Sequence, residues 1–300
     1  LVRRGLINAE PLTFDFISVG QGDSILVTAK GCAVLIDAGQ ATEGFDAGRS
    51  IVAPHLLARG VTRLDVLVVT HSHPDHAGGV PFILERFDVG QVWTNTCAEG
   101  NIYYEEVTMV TQRKSIPLRF VRRGDTYRVG PVEIRVLNPL DDPAAPGRRV
   151  DQNMQSVVLM IGDACMRGLF MADADLTGEL VQVHLGQDIR AHVLKAAHHG
   201  GRRSCLDPFL DAVKPEIVVI SGKGGTGFGG PSEEALGRLS RHGARVFRTD
   251  LHGGVVVRWG ALGPAVKSAW NPADTHLRCN RSLNCTQRRH GAQRPRAMPD

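Results

Sequence analysis

The sequence predicts an α/β protein in which two sheets pack face to face with helices outside. Three observations predict it. Strands lead in each half of the chain, strands and helices then alternate, and apolar runs such as "LDVLVV" and "EIVVI" have strand length, far too short to cross a bilayer.

The elements follow in order. "LTFDFISVGQGDSILVTAKGCAVLIDAG" alternates apolar and polar residues and is broken by glycines, which predicts three short strands near 12–18, 24–28 and 33–36. "AGRSIVAPHLLARG" has helical spacing and ends at Gly60, a C-cap residue. "LDVLVVT" is a continuous apolar run of buried-strand type. "AGGVPFILERF" reads as a helix, "QVWT" as a strand, and 99–116 as helical. In the second half "VEIRVLNP" is a strand, Asp141 to Arg149 a Pro-rich loop, and "SVVLMIGDACMRGLFMAD" a hairpin. Helix "LTGELVQVHL", strand "AHVLKAA", helix "DPFLDAV", strand "EIVVI", helix "SEEALGRLSRHG" and strands "RVFRT" and "GGVVVRW" complete the series.

Three hundred residues suffice for a sizeable core. The net charge of +4 has a local origin: six arginines against two aspartates in residues 268–300 account for all of it. The basic balance therefore belongs to the tail and does not mark the fold as a nucleic-acid binder. From 266 onward the chain is polar, Arg-rich and without period, so 266–300 is expected to be a disordered basic tail. Six scattered cysteines without a CxxC pair read as reduced thiols. The N-terminus lacks an initiator Met and an apolar h-region. This leaves open an upstream segment and a location in the bacterial cytoplasm, the periplasm or outside the cell.

The densest chemistry is "VVTHSHPDHAGG", with three histidines and an aspartate between His71 and His76, directly after a buried strand. Zinc favours imidazole nitrogen and carboxylate oxygen in four-coordinate geometry. In extended backbone His71 and His73 point the same way and can grip one ion, while Asp75 and His76 on the following turn reach a second. A polar loop of solvated or capping histidines is the bland alternative, and the density argues against it. Asp173 ends the strand "GLFMAD", where a carboxylate can bridge two metals; Asp175 is the better cap for the next helix. "KAAHHGG" places His198 and His199 after another strand. We assign His198 as the ligand and His199 as a neighbouring donor, an order the sequence leaves open.

These motifs resemble the metallo-β-lactamase superfamily, whose hallmark is HxHxDH on a four-layer αββα sandwich. The likeness runs from about 12 to 258, which makes residues 1–265 the hydrolase domain. "SVGQGDSILV", "VLIDAG", "LVVTHSHPDHAGG", "NMQSVVLM", "LFMADADLTGE", "LKAAHHGG", "VKPEIVVIS" and "RVFRTDLHGGVVV" stand in the order of the hydrolase domain of ComEC competence proteins. Relatives of that subgroup act as metal-dependent nucleases or phosphodiesterases. The resemblance implies two divalent ions, zinc first and manganese second. His71 and His73 would hold one; Asp75, His76 and His198 would hold the other; Asp173 would bridge. Asp37 would orient a metal-binding histidine, Asp23 would shape the neighbouring loop, and Asn153 and Ser156 occupy the subgroup's Asn-x-x-Ser. Two metals about 3.5–4 Å apart would activate a bridging hydroxide, oriented by Asp75 or Asp173.

Departures from the subgroup are Ala172 for Gly in "MAD", Gly201 for Ser in "HHGG", and "GGPS" for "GHPH" at 229–232, which lacks a polar histidine at Gly230. No histidine occurs from Ala77 to Val183, which argues against efficient lactam or thioester hydrolysis. Phosphodiesters, including single-stranded DNA, are the expected substrates; a lactonase or weak β-lactamase, and a metal-binding but silent interaction module, are the alternatives. The run "SGKGGTGFGG" lacks the order of a phosphate loop and reads as a mobile loop beside the site. Cys279, Cys285, His276 and His290 match no familiar zinc spacing. Substrate identity and oligomeric state are not written in these motifs.

Overall fold

The computed structural model describes residues 11–95, 101–139, 151–224, 230–260 and 263–270. A meander of β1 (Thr13–Phe16), β2 (Ile25–Ala29) and β3 (Cys32–Ile36) opens the chain. A ribbon of β4 (Ala41–Thr42) and β5 (Phe45–Asp46) follows, then a wide helical turn over Gly48–Val52 that runs into α1 (Ala53–Ala58). Next come β6 (Arg63–Leu64), β7 (Val66–Val69), α2 (Pro74–Ala77), α3 (Val80–Arg86), β8 (Asp88–Val89) and β9 (Val92–Thr94). Helix α4 (Ile102–Arg113) starts where the Asn101 side chain accepts from the Tyr103 and Tyr104 backbone N–H groups. It leads to β10 (Leu118–Phe120) and β11 (Thr126–Val129), two strands the periodicity does not announce.

The second half contains β12 (Val132–Asn138), β13 (Val158–Gly162), β14 (Arg167–Phe170), α5 (Leu176–His184) and β15 (Val193–Lys195). It closes with α6 (Asp207–Val213), β16 (Ile217–Ile220), α7 (Glu233–Arg241), β17 (Arg245–Arg248), α8 (Thr249–His252), β18 (Val255–Gly260) and β19 (Gly263–Ser268). Strand β19 crosses the expected domain edge at 265, because its backbone pairs with β18 from Val255–Ser268 to Gly260–Gly263. Residues 271–300, with the expected tail and its Cys279, Cys285, His276 and His290, lie outside the described residues, as do Asp141 to Arg149 and 225–229.

Two sheets form, in the orders β10-β9-β7-β3-β2-β1-β18-β19 and β11-β12-β13-β14-β15-β16-β17. Alternation along each strand sorts its side chains into separate layers. Ile25, Val27, Val34, Ile36, Val66 and Val68 face the second sheet and meet Phe14, Phe170, Leu159 and Val219. Leu26, Leu35, Leu67 and Val69 face outward beneath Leu56 of α1, Ile83 and Leu84 of α3 and Val107 of α4. On the other flank Val158, Leu169, Leu194 and Val218 lie under Phe209, Leu210 and Leu239 of α6 and α7. Three apolar layers between four structural ones make the αββα sandwich. Each buried Leu, Ile or Phe contributes about 1.5–3 kcal/mol to holding it.

Both sheets contain a parallel segment: β3, β7, β9 and β10 in one, β14 to β17 in the other. The loops that carry chemistry in open α/β sheets leave from the carboxyl ends of such strands. Here they leave β3 at Asp37, β7 at Thr70–His76, β14 at Asp173 and β15 at His198–His199. No helix among the described residues is long and apolar enough to cross a membrane. The described cysteines Cys32, Cys165 and Cys205 are free thiols.

Candidate metal centre

Strand β7 ends at Val69 and the next residues carry three histidines inward. His71 is fully buried; its Nδ1 lies 3.1 Å from Thr70 Oγ1 and its Nε2 lies 3.1 Å from His73 Nδ1. His73 is the extended residue that precedes α2, and Pro74 starts that helix, so Asp75 and His76 sit on its single turn. Gly22, at φ +110°, passes directly over this turn; a Cβ there would lie inside the carbonyl of Asp75.

Asp37 leaves β3 in a left-handed conformation, φ +56°, completely buried. It accepts from Thr70 N at 2.8 Å and Thr70 Oγ1 at 2.7 Å, and lies 2.8 Å from His76 Nδ1. Burial pushes the Asp37 carboxyl up, and the charge on His76 opposes it. With Nδ1 held by Asp37, His76 turns Nε2 toward Asp173, whose Oδ1 is 3.3 Å away. Burial works against a charge on His76, but Asp173 and Asp37 outweigh it and raise its pKa well above the ordinary value. His71 is pushed well below the ordinary value by burial and by the charge on His76.

Asp173 lies between two histidine groups. Its Oδ2 is 3.9 Å from His71 Nε2, while its Oδ1 is 3.3 Å from His76 Nε2 and 3.6 Å from His199 Nε2. Burial opposes its ionisation, yet the charges on His76 and His199 hold it well below the usual carboxylate range. Asp75 behaves alike: burial raises it, the neighbouring imidazole of His199 and the charge on His76 lower it, and the lowering wins.

The structure puts His199, and not His198, beside Asp75 and His76. Residues 198 and 199 both adopt left-handed backbone, at φ +47° and +54°, followed by Gly200 at +73°. This tight left-handed turn swings the second imidazole inward. His199 Nδ1 lies 3.1 Å from the Ser221 carbonyl, so that nitrogen donates and Nε2 points at Asp75 Oδ2, 3.3 Å away. The His198 side chain is 42% exposed, with Nδ1 3.4 Å from Asp175 Oδ2 and Nε2 3.9 Å from Asp173 Oδ2. The Asp175 hydrogen bond raises its pKa. Asp175 does occupy the N-cap position of α5, but its side chain makes no capping hydrogen bond and turns to His198 instead. Ala172, at φ +47°, holds the left-handed position where the resemblance has glycine.

Asn153 and Ser156 lie on the turn before β13, which is tied to the ligand loop by Val157 N donating to Thr70 O at 2.9 Å and by Asn95 Nδ2 donating to Gln155 O at 2.8 Å. Asn153 Oδ1 and Ser156 Oγ are buried there without a hydrogen-bond partner. Asp23 receives Gly39 N at its carbonyl and donates its own N–H to Asp75 O, while its carboxylate pairs with Lys195.

The ligand atoms of His71, His73 and Asp173 lie within 4.8 Å of one another, as do those of Asp75, His76 and His199. His76 Nε2, Asp173 Oδ1 and His199 Nε2 are buried and lack any hydrogen-bond partner. Buried polar atoms normally have partners, and three orphans aimed at one another, two imidazole nitrogens and a carboxylate oxygen, suit a divalent cation. The donor set therefore fits the metals that the motif suggests.

Four contributors escape the sequence reading. Thr70, Ser221, Gln21, whose Nε2 donates to Asp75 Oδ2 at 3.5 Å, and Lys195 all act through tertiary contacts. Only Lys195 leaves a trace, a charged residue inside the apolar strand "AHVLKAA".

A family model described as the metallo-beta-lactamase superfamily matches residues 17–224. The chain is similar to ComE operon protein 3 of Bacillus subtilis (strain 168), 29% identical over 259 residues that cover 82% of this chain and 33% of that protein. It is likewise similar to competence protein ComA of Neisseria gonorrhoeae, 29% identical over 236 residues, 78% of this chain and 30% of that one. Recombination protein 2 of Haemophilus influenzae is 25% identical over 246 residues, covering 82% and 28%. The chain thus spans about a third of the length of these relatives. Among solved structures, CmlA, a diiron beta-hydroxylase from Streptomyces venezuelae, superposes with TM-score 0.56 at 16% identity over 83% of this chain and 54% of that chain. The metallo-beta-lactamase fold protein YhfI from Bacillus subtilis gives 0.50 at 12% identity, covering 78% and 95%. These two likenesses concern the fold. By the match over residues 17–224, this chain belongs to the metallo-β-lactamase superfamily.

Proposed function

We propose that this protein is a dinuclear metal-dependent hydrolase of phosphodiesters. One observation carries the reading: Asp173 presents one carboxylate oxygen to each of two histidine groups. His71, His73 and Asp173 would hold one divalent ion, and Asp75, His76 and His199 the other, with zinc or manganese as candidates. Bound ions of this kind supply Lewis acidity, lower the pKa of water and offset charge on phosphate oxygens.

The chain's own groups perform the rest. Asp37 and the Ser221 carbonyl hold the Nδ1 atoms of His76 and His199, so both Nε2 atoms face the centre. Asp75, 21% exposed, orients the attacking water by accepting its hydrogen bond. His198, half-exposed and held by Asp175, takes the donor role that the sequence reading gave to His199 and protonates the leaving oxygen. The first ligand group has two histidines and no third, in keeping with the histidine-free stretch from Ala77 to Val183. That supports diester over lactam chemistry, because a diester's dispersed transition-state charge needs no dedicated oxyanion pocket. The names of the relatives speak of competence and recombination, so single-stranded DNA is the substrate to try after simple diesters.

A second reading, a metal-binding but silent module, is favoured by Gly230. Ser232 N donates to Gly200 O at 2.9 Å, which places the Gly230–Ser232 segment beside His199. The subgroup's histidine is missing from that spot. Hydrolysis of bis(p-nitrophenyl) phosphate, nitrocefin and a lactone by metal-stripped protein refilled with zinc or manganese separates the readings. Metal-dependent diester cleavage should dominate. Activity confined to nitrocefin or the lactone would make the protein an acyl hydrolase, and metal binding with silence on all three would leave the module.

A further inference from the structure

Lys195 is a lysine with 1% of its side chain exposed, at the end of the apolar strand β15. Its Nζ pairs with Asp23 Oδ2 and donates to the Ala172 carbonyl at 3.2 Å, one residue before Asp173. Four residues further along the chain stands His199. One cation thus joins the Gly22–Asp23 loop, the strand end that carries Asp173 and the strand that carries His199.

Asp23 lies close behind the two imidazoles. Its Oδ1 is 3.8 Å from His199 Nδ1 and its Oδ2 is 3.8 Å from His76 Nδ1. Among the described residues, four groups of side chains have atoms close enough to hold a cation, and two of them include Asp23: one with Asp37 and His76, one with Asp173 and His199. The other two, His71–His73–Asp173 and Asp75–His76–His199, exclude it. An ion cannot use all four, since His76, His199 and Asp173 are shared. A buried ion pair is costly and is weak evidence for stability, so a role in specifying one arrangement is the alternative explanation for keeping it.

We propose that Lys195 is a positioning residue that withholds Asp23 from the metal ions and so selects which two of the four groups bind them. The cationic Nζ occupies Oδ2 and repels a second cation from that carboxylate. Asp23 is then left to support the Asp75 loop through its backbone. This rests on the dinuclear reading above.

The test uses the full chain as wild type, Asp23→Asn, Lys195→Met and the double variant, with metal content and the cobalt(II) visible spectrum as readouts. Wild type should bind two ions, and Asp23→Asn should keep both with an unchanged spectrum. Lys195→Met frees Asp23 to ligate, which should shift the cobalt bands and weaken one site by more than tenfold. The double variant should recover the wild-type spectrum. Loss of an ion in Asp23→Asn would make Asp23 a ligand and overturn the proposal. So would Lys195→Met with native stoichiometry and spectrum, or a double variant as altered as the single one. If Lys195→Met does not fold, Lys195→Gln, which removes the charge but keeps a donor for the Ala172 carbonyl, takes its place with the same expected spectral shift and the same overturning result. Wild type that binds no metal would overturn the dinuclear reading itself, a result distinct from all of these.

Discussion

The Nδ1 of His199 lies 3.1 Å from the Ser221 carbonyl oxygen, a contact across 22 residues that fixes which imidazole nitrogen faces Asp75 and Asp173. His198 lacks such a partner at the back of its ring and instead meets Asp175 at the rim. His199→Ala should therefore cost one of two bound ions and weaken metal affinity by more than about 100-fold, beyond the range expected for a supporting partner. His198→Ala should keep both ions and lose turnover. Metal content after dialysis checks this, and loss of an ion in His198→Ala would reverse the assignment.

Asp37 sits one step behind the proposed metal ligands. Replacing it with Ala removes the acceptor for His76 Nδ1 and for both Thr70 donors. Metal affinity should fall by about 10–100-fold, read by competition with a chromophoric chelator. An unchanged affinity would mean that His76 is oriented by its packing alone.

Gly22 makes room for the Asp75 turn. Gly22→Ala would drive a methyl into the Asp75 carbonyl at a backbone angle of +110°, so stability should fall by about 1–3 kcal/mol. Urea unfolding measures it. Gly60, also left-handed but with open space around its Cα, is the control for strain without a clash.

Glu179 holds the far end of the His198–His199 loop, accepting from Cys205 N at 2.7 Å and Leu206 N at 2.8 Å. Burial raises its pKa from 4.5 to about 7, although these two donors oppose the rise. Between those values the unfolded chain has given up the proton that the folded chain keeps. This group's contribution to stability is therefore full below pH 4.5 and is lost as pH rises to about 7. Melting temperatures across that window should decline in the wild type. Glu179→Gln should flatten this decline, and equal slopes in both proteins would remove Glu179 as its source.

The C-terminal boundary gives a last prediction. Cutting after 262 removes β19 and the pairing partner of β18, and the melting temperature should drop by several degrees. Cutting after Trp270 should leave it nearly unchanged; a large drop would mean that 271–300 packs against the fold.

The layered architecture was legible because burial imposes a period. Alternation in 25–29 and 32–36 and the all-apolar Val66–Val69 assign each side chain to a layer. The edge strands β10, β11 and β19 were not legible, since "LRF", "TYRV" and "GPAVKS" are mostly exposed or half-buried and carry little of that period. Within the centre, the spacing of His71, His73, Asp75 and His76 brought the candidate ligands of one short loop into view, because they sit together on a few residues of local backbone.

By itself, then, the sequence determined the sandwich and the HxHxDH loop, both products of local spacing and of apolar patterning. Only the tertiary structure decided that His199 turns inward, that Asp173 divides its oxygens between two groups, and that Lys195 holds Asp23. The left-handed turn at 198–200 brings His199 to the Ser221 carbonyl, and the buried ion pair joins residues 172 positions apart. Neither follows from a period, because each is fixed by partners that meet only when the two sheets close.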